Sequence, residues 1–361
     1  MVRCPVLKGS FAIEQVYDFS TKRYCSSCDR WQEVPTYPEP NRPLLLMSRR
    51  TTFLATALSV LVLGSPLMTG CSAQPNVVEE VSNTAADLSS EDTLALNDEI
   101  AELTKLIDTN PQLAYAYYNR GNAKSNLKDY QGAIADFNKA IEINPQLALA
   151  YNNRGIAKVE SGDAQGAIAD YNKAIEINPQ LAPPYSNRGY AKYYLKDYQG
   201  AIADYNKAIE INPQYADAYY NRGNAKDELK DYQGAIADYN KAIEINPQYA
   251  DAYNNRGYAK DKLQDYQGAI ADYNKAIEIN PEDAIAYYNR GYAKDELKDY
   301  QGAIADFNRA IEINPEDAIA YTNRGISKEN KGDLKGACAD WKEASSLGYK
   351  DAAGWVRDQC Q

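Results

Sequence analysis

The sequence predicts an all-α solenoid, a superhelix in which seven helix–turn–helix repeats stack in register and a helix caps each end. An Asn-Pro pair recurs every 34 residues from position 110 to position 315 without an insertion or a deletion. A fixed period in this range is typical of solenoids, where each unit buries its apolar face only against its neighbours. The second half of each of the first six units also places its apolar residues on one helical face, and a proline then ends that helix. The last unit departs from this pattern from Lys331 onward and has no proline.

The first unit, 114–147, shows how one repeat is built. Its first half contains no helix breaker except Gly121, and a turn follows that ends at Asp129, a good N-cap for a second helix. Asn144 precedes Pro145 and is therefore pushed out of the α region. Each unit is thus predicted to form two antiparallel helices and a sharp corner.

Small and aromatic residues occupy fixed positions of the first unit, namely Tyr117, Gly121, Ala133, Phe137, Ala140 and Pro145. This pattern resembles the tetratricopeptide repeat family, and the later units match it as far as Gly325 and Ala337. The resemblance implies seven repeats over 114–351, with the boundaries 114–147, 148–181, 182–215, 216–249, 250–283, 284–317 and 318–351. It is specific for the fold and says almost nothing about the ligand.

Two positions depart from the family pattern. Arg120 and its equivalents replace an apolar residue, and Lys124 and its equivalents replace a common aromatic residue. Both side chains are long enough to lay their stems on apolar surface. Asp136 and its copies are candidates to pair with them between the helices, and such pairs would stabilise the fold little if they were exposed.

A capping helix is expected on each side of the repeats. Residues 91–113 are predicted as the N-terminal cap, with Ser90 as N-cap, and residues 352–361 as the C-terminal cap. Cys338 and Cys360 are equidistant from the turn at Tyr349, so that an antiparallel pair of helices would bring them together. They form either a disulfide, as an exported protein would allow, or two buried free thiols.

Residues 47–70 have the features of a secretory signal peptide. A basic start is followed by a short apolar core and by small residues before Cys71. The end of this segment resembles a bacterial lipobox, which implies lipid attachment at Cys71 and a flexible tether over 71–90. The alternative is an uncleaved membrane anchor, for which the apolar stretch is short and contains Gly64 and Pro66.

Residues 1–46 precede this signal, and we interpret them as an upstream leader. Because signal peptides normally open a chain, either Met47 is the initiator or the leader is a short translated segment without a function. A zinc site is the other interpretation. It is poorly supported, since only Cys4, Cys25 and Cys28 are available and a closed zinc site takes four ligands.

Composition argues against several functions. The net charge is −11, which disfavours binding to nucleic acid, and the chain contains no histidine, the usual general base and metal ligand. No phosphate-binding loop, nucleophile elbow or metal-ligand cluster occurs. We therefore expect no enzyme activity, no cofactor and no metal.

The family resemblance implies that the first helices line a concave groove for an extended peptide. The groove residues that it predicts are asparagines and tyrosines: Tyr118, Asn119, Asn122, Asn153, Asn187, Tyr190, Tyr220, Asn221, Asn224, Asn255, Tyr258, Tyr288, Asn289, Tyr292 and Asn323. Asparagine can hydrogen-bond a peptide backbone, and tyrosine offers contact area at a low entropic cost. Alternatively, the asparagines bond between neighbouring helices. Carboxylates beside the groove, with Lys262 as its only lysine, favour a cationic or neutral ligand.

The expected function is that of a non-catalytic scaffold that binds a partner protein or peptide. The resemblance to lipoproteins places it on the periplasmic or outer face of a bacterial membrane, held by its lipid. A self-associating structural spacer, and hence a homo-oligomer, is one alternative, since nearly identical repeats can stack on one another. An envelope protein that binds cell-wall glycan is the other.

Overall fold

A computed structural model describes residues 22–25, 30–33 and 88–360. The chain divides into two units, Met1–Asn83 and Thr84–Gln361. In the first unit, strands β1 (Lys22–Cys25) and β2 (Arg30–Glu33) pair antiparallel, with Lys22 opposite Glu33. This strand pair was not predicted from the sequence.

The second unit contains sixteen helices over 88–360, in agreement with the predicted all-α solenoid. The helices are α1 (Ser90–Thr109), α2 (Ala114–Asn126), α3 (Tyr130–Ile143), α4 (Ala148–Glu160), α5 (Ala164–Ile177), α6 (Ala182–Tyr194), α7 (Tyr198–Ile211), α8 (Ala216–Glu228), α9 (Tyr232–Ile245), α10 (Ala250–Lys262), α11 (Tyr266–Ile279), α12 (Ala284–Glu296), α13 (Tyr300–Ile313), α14 (Ala318–Asn330), α15 (Leu334–Ser346) and α16 (Lys350–Gln359). Helices α2 to α15 form the seven repeats, two helices to each, and α1 and α16 flank them.

The helix boundaries follow from local chemistry. In the first repeat, Asp129 caps α3 by accepting a hydrogen bond from Gly132 N at 2.9 Å, and Asn144 ends the same helix. At the N-terminal cap the structure differs by one residue from the expectation. Ser89, and not Ser90, caps α1, because the Ser89 hydroxyl accepts from Asp92 N at 3.1 Å. No helix in 88–360 is long and apolar enough to cross a membrane.

Small residues allow the two helices of each repeat to approach closely. A Cβ built on Gly223 of α8 would lie only 2.6 Å from the ring of Tyr239 on α9. Ala235 and Ala242, on either side of this tyrosine, are fully buried. Since interiors pack as densely as organic crystals, this ring can fill the space only while position 223 has no side chain.

Buried ion pairs join the helices of every repeat, at the positions that depart from the family pattern. In repeat 4, Arg222 binds both carboxylate oxygens of Asp238, at 2.9 and 2.6 Å, and Lys226 Nζ lies 2.7 Å from the same carboxylate. Arg222 also donates to Asn206 Oδ1 of the preceding repeat at 2.6 Å. The aspartates are buried, so these pairs are not the weak surface pairs considered above.

The stacking of the repeats is asymmetric. Within each repeat the two helices pack together, and each second helix packs on the first helix that follows it. Successive first helices, such as α8 and α10, also contact each other, whereas successive second helices make no comparable contact in 88–360. The first helices α2, α4, α6, α8, α10, α12 and α14 therefore form the shorter side of the curved stack, which we call the inner face.

The C-terminal cap is linked covalently to the last repeat. Cys338 on α15 and Cys360, at the end of α16, form a disulfide with a Cα–Cα distance of 5.5 Å. The rings of Trp341 and Trp355 pack at 5.6 Å beside it. The cap thus covers the aromatic end of the solenoid, as terminal units of repeat proteins must.

Candidate functional site: the inner face of the first helices

The asparagines of the inner face bond between repeats. Asn153 Nδ2 donates to Tyr118 Oη at 3.1 Å and to Asn122 Oδ1 at 2.8 Å. The same relationship joins Asn187 to Asn152, Asn255 to Tyr220 and Asn224, Asn289 to Asn254, and Asn323 to Tyr288. The structure thus shows bonds of the kind expected if the asparagines join neighbouring helices. These amide N–H groups join the first helices of neighbouring repeats.

Two members of the asparagine row are different. Asn119 belongs to the first repeat and is exposed. Asn221 follows a repeat in which Ser186 stands at the position of Tyr118. The serine side chain is too short to accept the hydrogen bond that Tyr118 accepts from Asn153.

The predicted tyrosines fall into two classes. Tyr118, Tyr220 and Tyr288 are half-buried and accept hydrogen bonds from asparagines of the next repeat. Tyr190, Tyr258 and Tyr292, one helical turn further along their helices, are each 39% exposed. The second class presents aromatic surface to solvent, and we call these three residues the exposed tyrosines.

Carboxylates lie near the C-terminal ends of three first helices of this face. Asp227, Asp261 and Asp295 occupy equivalent positions on α8, α10 and α12. Burial, together with the neighbouring Glu228, raises the pKa of Asp227 to about 6, and Lys262 partly opposes this shift. The Oδ1 atoms of Asp227 and Asp261 are buried without a hydrogen-bond partner.

One second helix also contributes to this surface, through a residue that was not predicted from the sequence. Tyr266, at the start of α11, donates to Glu296 Oε2 at 3.5 Å. On the first helix α6, Tyr193 donates to Glu228 Oε1 at 3.3 Å. Burial and a hydrogen bond to Glu296 raise the pKa of Tyr292 to about 12. Tyr266 begins the second helix directly after the turn that follows the first helix. This position beside the end of the first helix could have indicated from the sequence that Tyr266 reaches the inner face.

Some predictions fall outside this surface. Within 22–25, 30–33 and 88–360, no group of three or more carboxylate or cysteine side chains could hold a metal ion. Cys71, the signal segment 47–70 and most of the tether 71–90 lie outside the described residues, as do Cys4 and Cys28.

Comparison with known families agrees with this geometry. The tetratricopeptide repeat model matches 114–147, 216–249, 250–283 and 284–317, and a second TPR repeat model matches 155–196 and 189–227. The chain belongs to the tetratricopeptide repeat family, whose members are generally non-catalytic scaffolds for protein–protein interaction. No curated protein matches the chain.

Several solved structures are similar to it. A tetratricopeptide repeat protein from Parabacteroides merdae is 22% identical over 69% of this chain and 99% of its own, with a TM-score of 0.51. The Pseudomonas aeruginosa pilF protein is 17% identical over 57% of this chain and 96% of its own, with a TM-score of 0.52. YrrB, described as a TPR protein with an unusual peptide-binding site, is 25% identical over 51% of this chain and 95% of its own, with a TM-score of 0.44.

Proposed function

We propose that this chain is a non-catalytic scaffold that holds an extended segment of a partner protein on its inner face, while a lipid on Cys71 tethers it to a bacterial membrane. The observation that carries the proposal is the set of exposed tyrosines Tyr190, Tyr258 and Tyr292, each 39% exposed on the face where successive first helices meet. Buried rings such as those of Tyr205 and Tyr239 fill the space between the helices, so these three rings are surface that the fold itself does not require.

The chemistry of this face supports a protein ligand. Tyrosine gives a large contact area with few torsions to freeze, and its hydroxyl can bond a peptide group. Tyr194 on α6, 67% exposed, extends the aromatic surface. The carboxylates of α8, α10 and α12 disfavour an acidic segment, since like charges across an interface are costly.

Site-specific photo-crosslinking tests the groove. A photoreactive amino acid is placed at Tyr258 on the inner face and, as the matched control, at Lys241, which makes an exposed ion pair on the second helix α9. In the native membranes, the proposal expects one extended segment of a partner to be captured from position 258 and not from 241. A synthetic copy of that segment should bind the purified protein and lose affinity on Tyr258→Ala. Capture of a second copy of this chain would support the spacer instead, and equal capture from both positions would reject the groove.

The tether has a separate test. Cys71→Ala removes the proposed acceptor of the lipid and leaves the repeats untouched. Loss of membrane retention together with a changed apparent mass is expected for a lipoprotein of the cell envelope. Unchanged retention and unchanged processing would reject lipidation at this cysteine without affecting the proposal for the inner face.

A further inference from the structure

One lysine side chain already occupies the inner face. Lys262 Nζ lies 4.5 Å from the centroid of the Tyr258 ring and 4.0 Å from Asp261 Oδ2. An aromatic face and a carboxylate are the two partners by which proteins hold an ammonium group. The chain thus shows, with its own side chain, that this surface accepts a primary ammonium.

The next repeat presents a ring and carboxylates at the equivalent positions, without a lysine. Tyr292 stands where Tyr258 does, and Glu296 replaces Lys262. Glu296 accepts a hydrogen bond from Tyr266 at 3.5 Å and is also hydrogen-bonded to Tyr292. We call Asp261, Tyr266, Tyr292 and Glu296 the carboxylate–tyrosine cluster.

Asp261 adds an independent observation. Its side chain is only 8% exposed, and its Oδ1 atom has no hydrogen-bond partner. The aspartate one repeat later, Asp295, accepts a hydrogen bond from Ser327 of α14, but the residue that corresponds to Ser327 for Asp261 is Ala293, which has no side-chain donor. A buried carboxylate without a donor is costly, and a cation near it reduces that cost.

Electrostatics within the cluster favours an added cation. Burial raises the pKa of Asp261, Lys262 opposes the rise, and Glu296 adds to it. Asp261 and Glu296 therefore repel each other, and Lys262 is the basic residue that acts on Asp261. A second cation placed between the two carboxylates would relieve the repulsion that remains.

We propose that the carboxylate–tyrosine cluster binds the side chain of a lysine or an arginine from the extended segment of the partner, with the cation over the Tyr292 ring and beside Glu296. This inference rests on the proposed function and names the chemistry of its ligand. Lys262 then competes with the ligand's cation, since its ammonium group already interacts with the Asp261 carboxylate.

Peptides of matched design test the inference. Four fluorescent peptides of about twelve residues share one uncharged sequence and differ only at three positions, which carry lysine, arginine, glutamine or glutamate. Fluorescence anisotropy at low salt measures their binding to the intact repeat protein. The lysine and arginine peptides should bind about tenfold more tightly than the glutamine peptide, and the glutamate peptide should bind least.

Two substitutions with opposite effects then locate the site. Glu296→Gln should weaken the basic peptides about fivefold, and Lys262→Gln should strengthen them about threefold. Glu244→Gln and Lys241→Gln make the same changes of net charge at an exposed pair of α9 and should leave the affinity unchanged. Circular dichroism before each titration confirms that the variants fold.

Three outcomes would overturn the inference: equal binding of basic and glutamine peptides, no binding of any peptide, or equal effects of Glu296→Gln and Glu244→Gln. The last would mean attraction by net charge alone. None of these outcomes decides the proposed function, because crosslinking from position 258 with the natural partner reports on the groove whatever the charge of its ligand.

Discussion

The guanidinium group of Arg222 meets the carboxylate of Asp238 in a two-point ion pair, with Nε–Oδ2 at 2.9 Å and Nη2–Oδ1 at 2.6 Å. The same guanidinium lies 5.4 Å from the Tyr219 ring and reaches Asn206 of the preceding repeat. Arg222 therefore joins its own two helices and also the interface between two repeats. The arrangement recurs in repeats 2 to 7, and in the first repeat Arg120 reaches Thr104 of α1 instead. It is therefore part of what holds the inner face in place.

Removing the carboxylate of this pair should destabilise the solenoid strongly. Asp238→Ala leaves Arg222 and Lys226 largely buried without their anion, and the loss of one partner of a buried pair costs about 3–5 kcal/mol. Urea unfolding followed by far-UV circular dichroism measures the change. Glu244→Ala, which breaks the exposed pair with Lys241, is the matched control and should change the stability far less. Equal effects would mean that burial does not decide the strength of these pairs.

Gly223 should not tolerate even a methyl group. A Cβ there meets the Tyr239 ring at 2.6 Å, and overpacking of this kind costs about 1–3 kcal/mol. Gly354 on α16 is the control, because a Cβ there meets nothing within 4 Å, so Gly354→Ala should be neutral or stabilising by up to about 1 kcal/mol. Thermal unfolding compares the two variants. If the ring causes the cost, Gly223→Ala should be less harmful in a Tyr239→Leu background.

Much of the fold was predictable from the sequence because its determinants are local and repeated. Asp129 and Pro145 mark the start and the end of one helix to within two residues. Because the repeat occurs seven times, its pattern is clear even where one copy is ambiguous. The roles of the asparagines were not predictable. Whether Asn153 faces a ligand or bonds to Tyr118 depends on the rotation between repeats, which no single repeat encodes. The orphaned carboxylate of Asp261 likewise depends on Ala293, a residue of the following repeat.

The turn between the two helices of a repeat offers a stabilising substitution. Lys230 adopts a φ of 62°, in the left-handed region, whereas Gly162 and Gly332 occupy the same place in the second and seventh repeats, with φ values of 90° and 93°. A residue with a Cβ destabilises the fold by about 1–2 kcal/mol in this conformation. Glycine avoids this cost, but it loses more conformational entropy on folding, which offsets part of the gain. Lys230→Gly should therefore raise the free energy of unfolding by about 0.5–1 kcal/mol in urea titrations. Lys230→Ala keeps the Cβ and should give no gain, and a gain of equal size would contradict this explanation.

The stability of the solenoid should depend on pH through Asp227. Its folded pKa, about 6, is above the value of an unfolded aspartate, because burial and Glu228 disfavour the charged form. The fold therefore binds the proton more tightly than the unfolded chain does. The resulting stabilisation is complete below about pH 4 and is lost as the pH rises through 6.

Asp227→Asn should remove this dependence. Relative to the wild type, the variant should gain about 1 kcal/mol of stability at neutral pH, a value reduced for the partial exposure of the side chain, and should gain nothing near pH 4. Urea unfolding at both pH values measures the difference. Glu329→Gln, at the equivalent position of the last repeat but exposed, is the control for the loss of one negative charge. A gain for Asp227→Asn that is the same at both pH values would assign the effect to packing, since only the ionised form of Asp227 is penalised by burial.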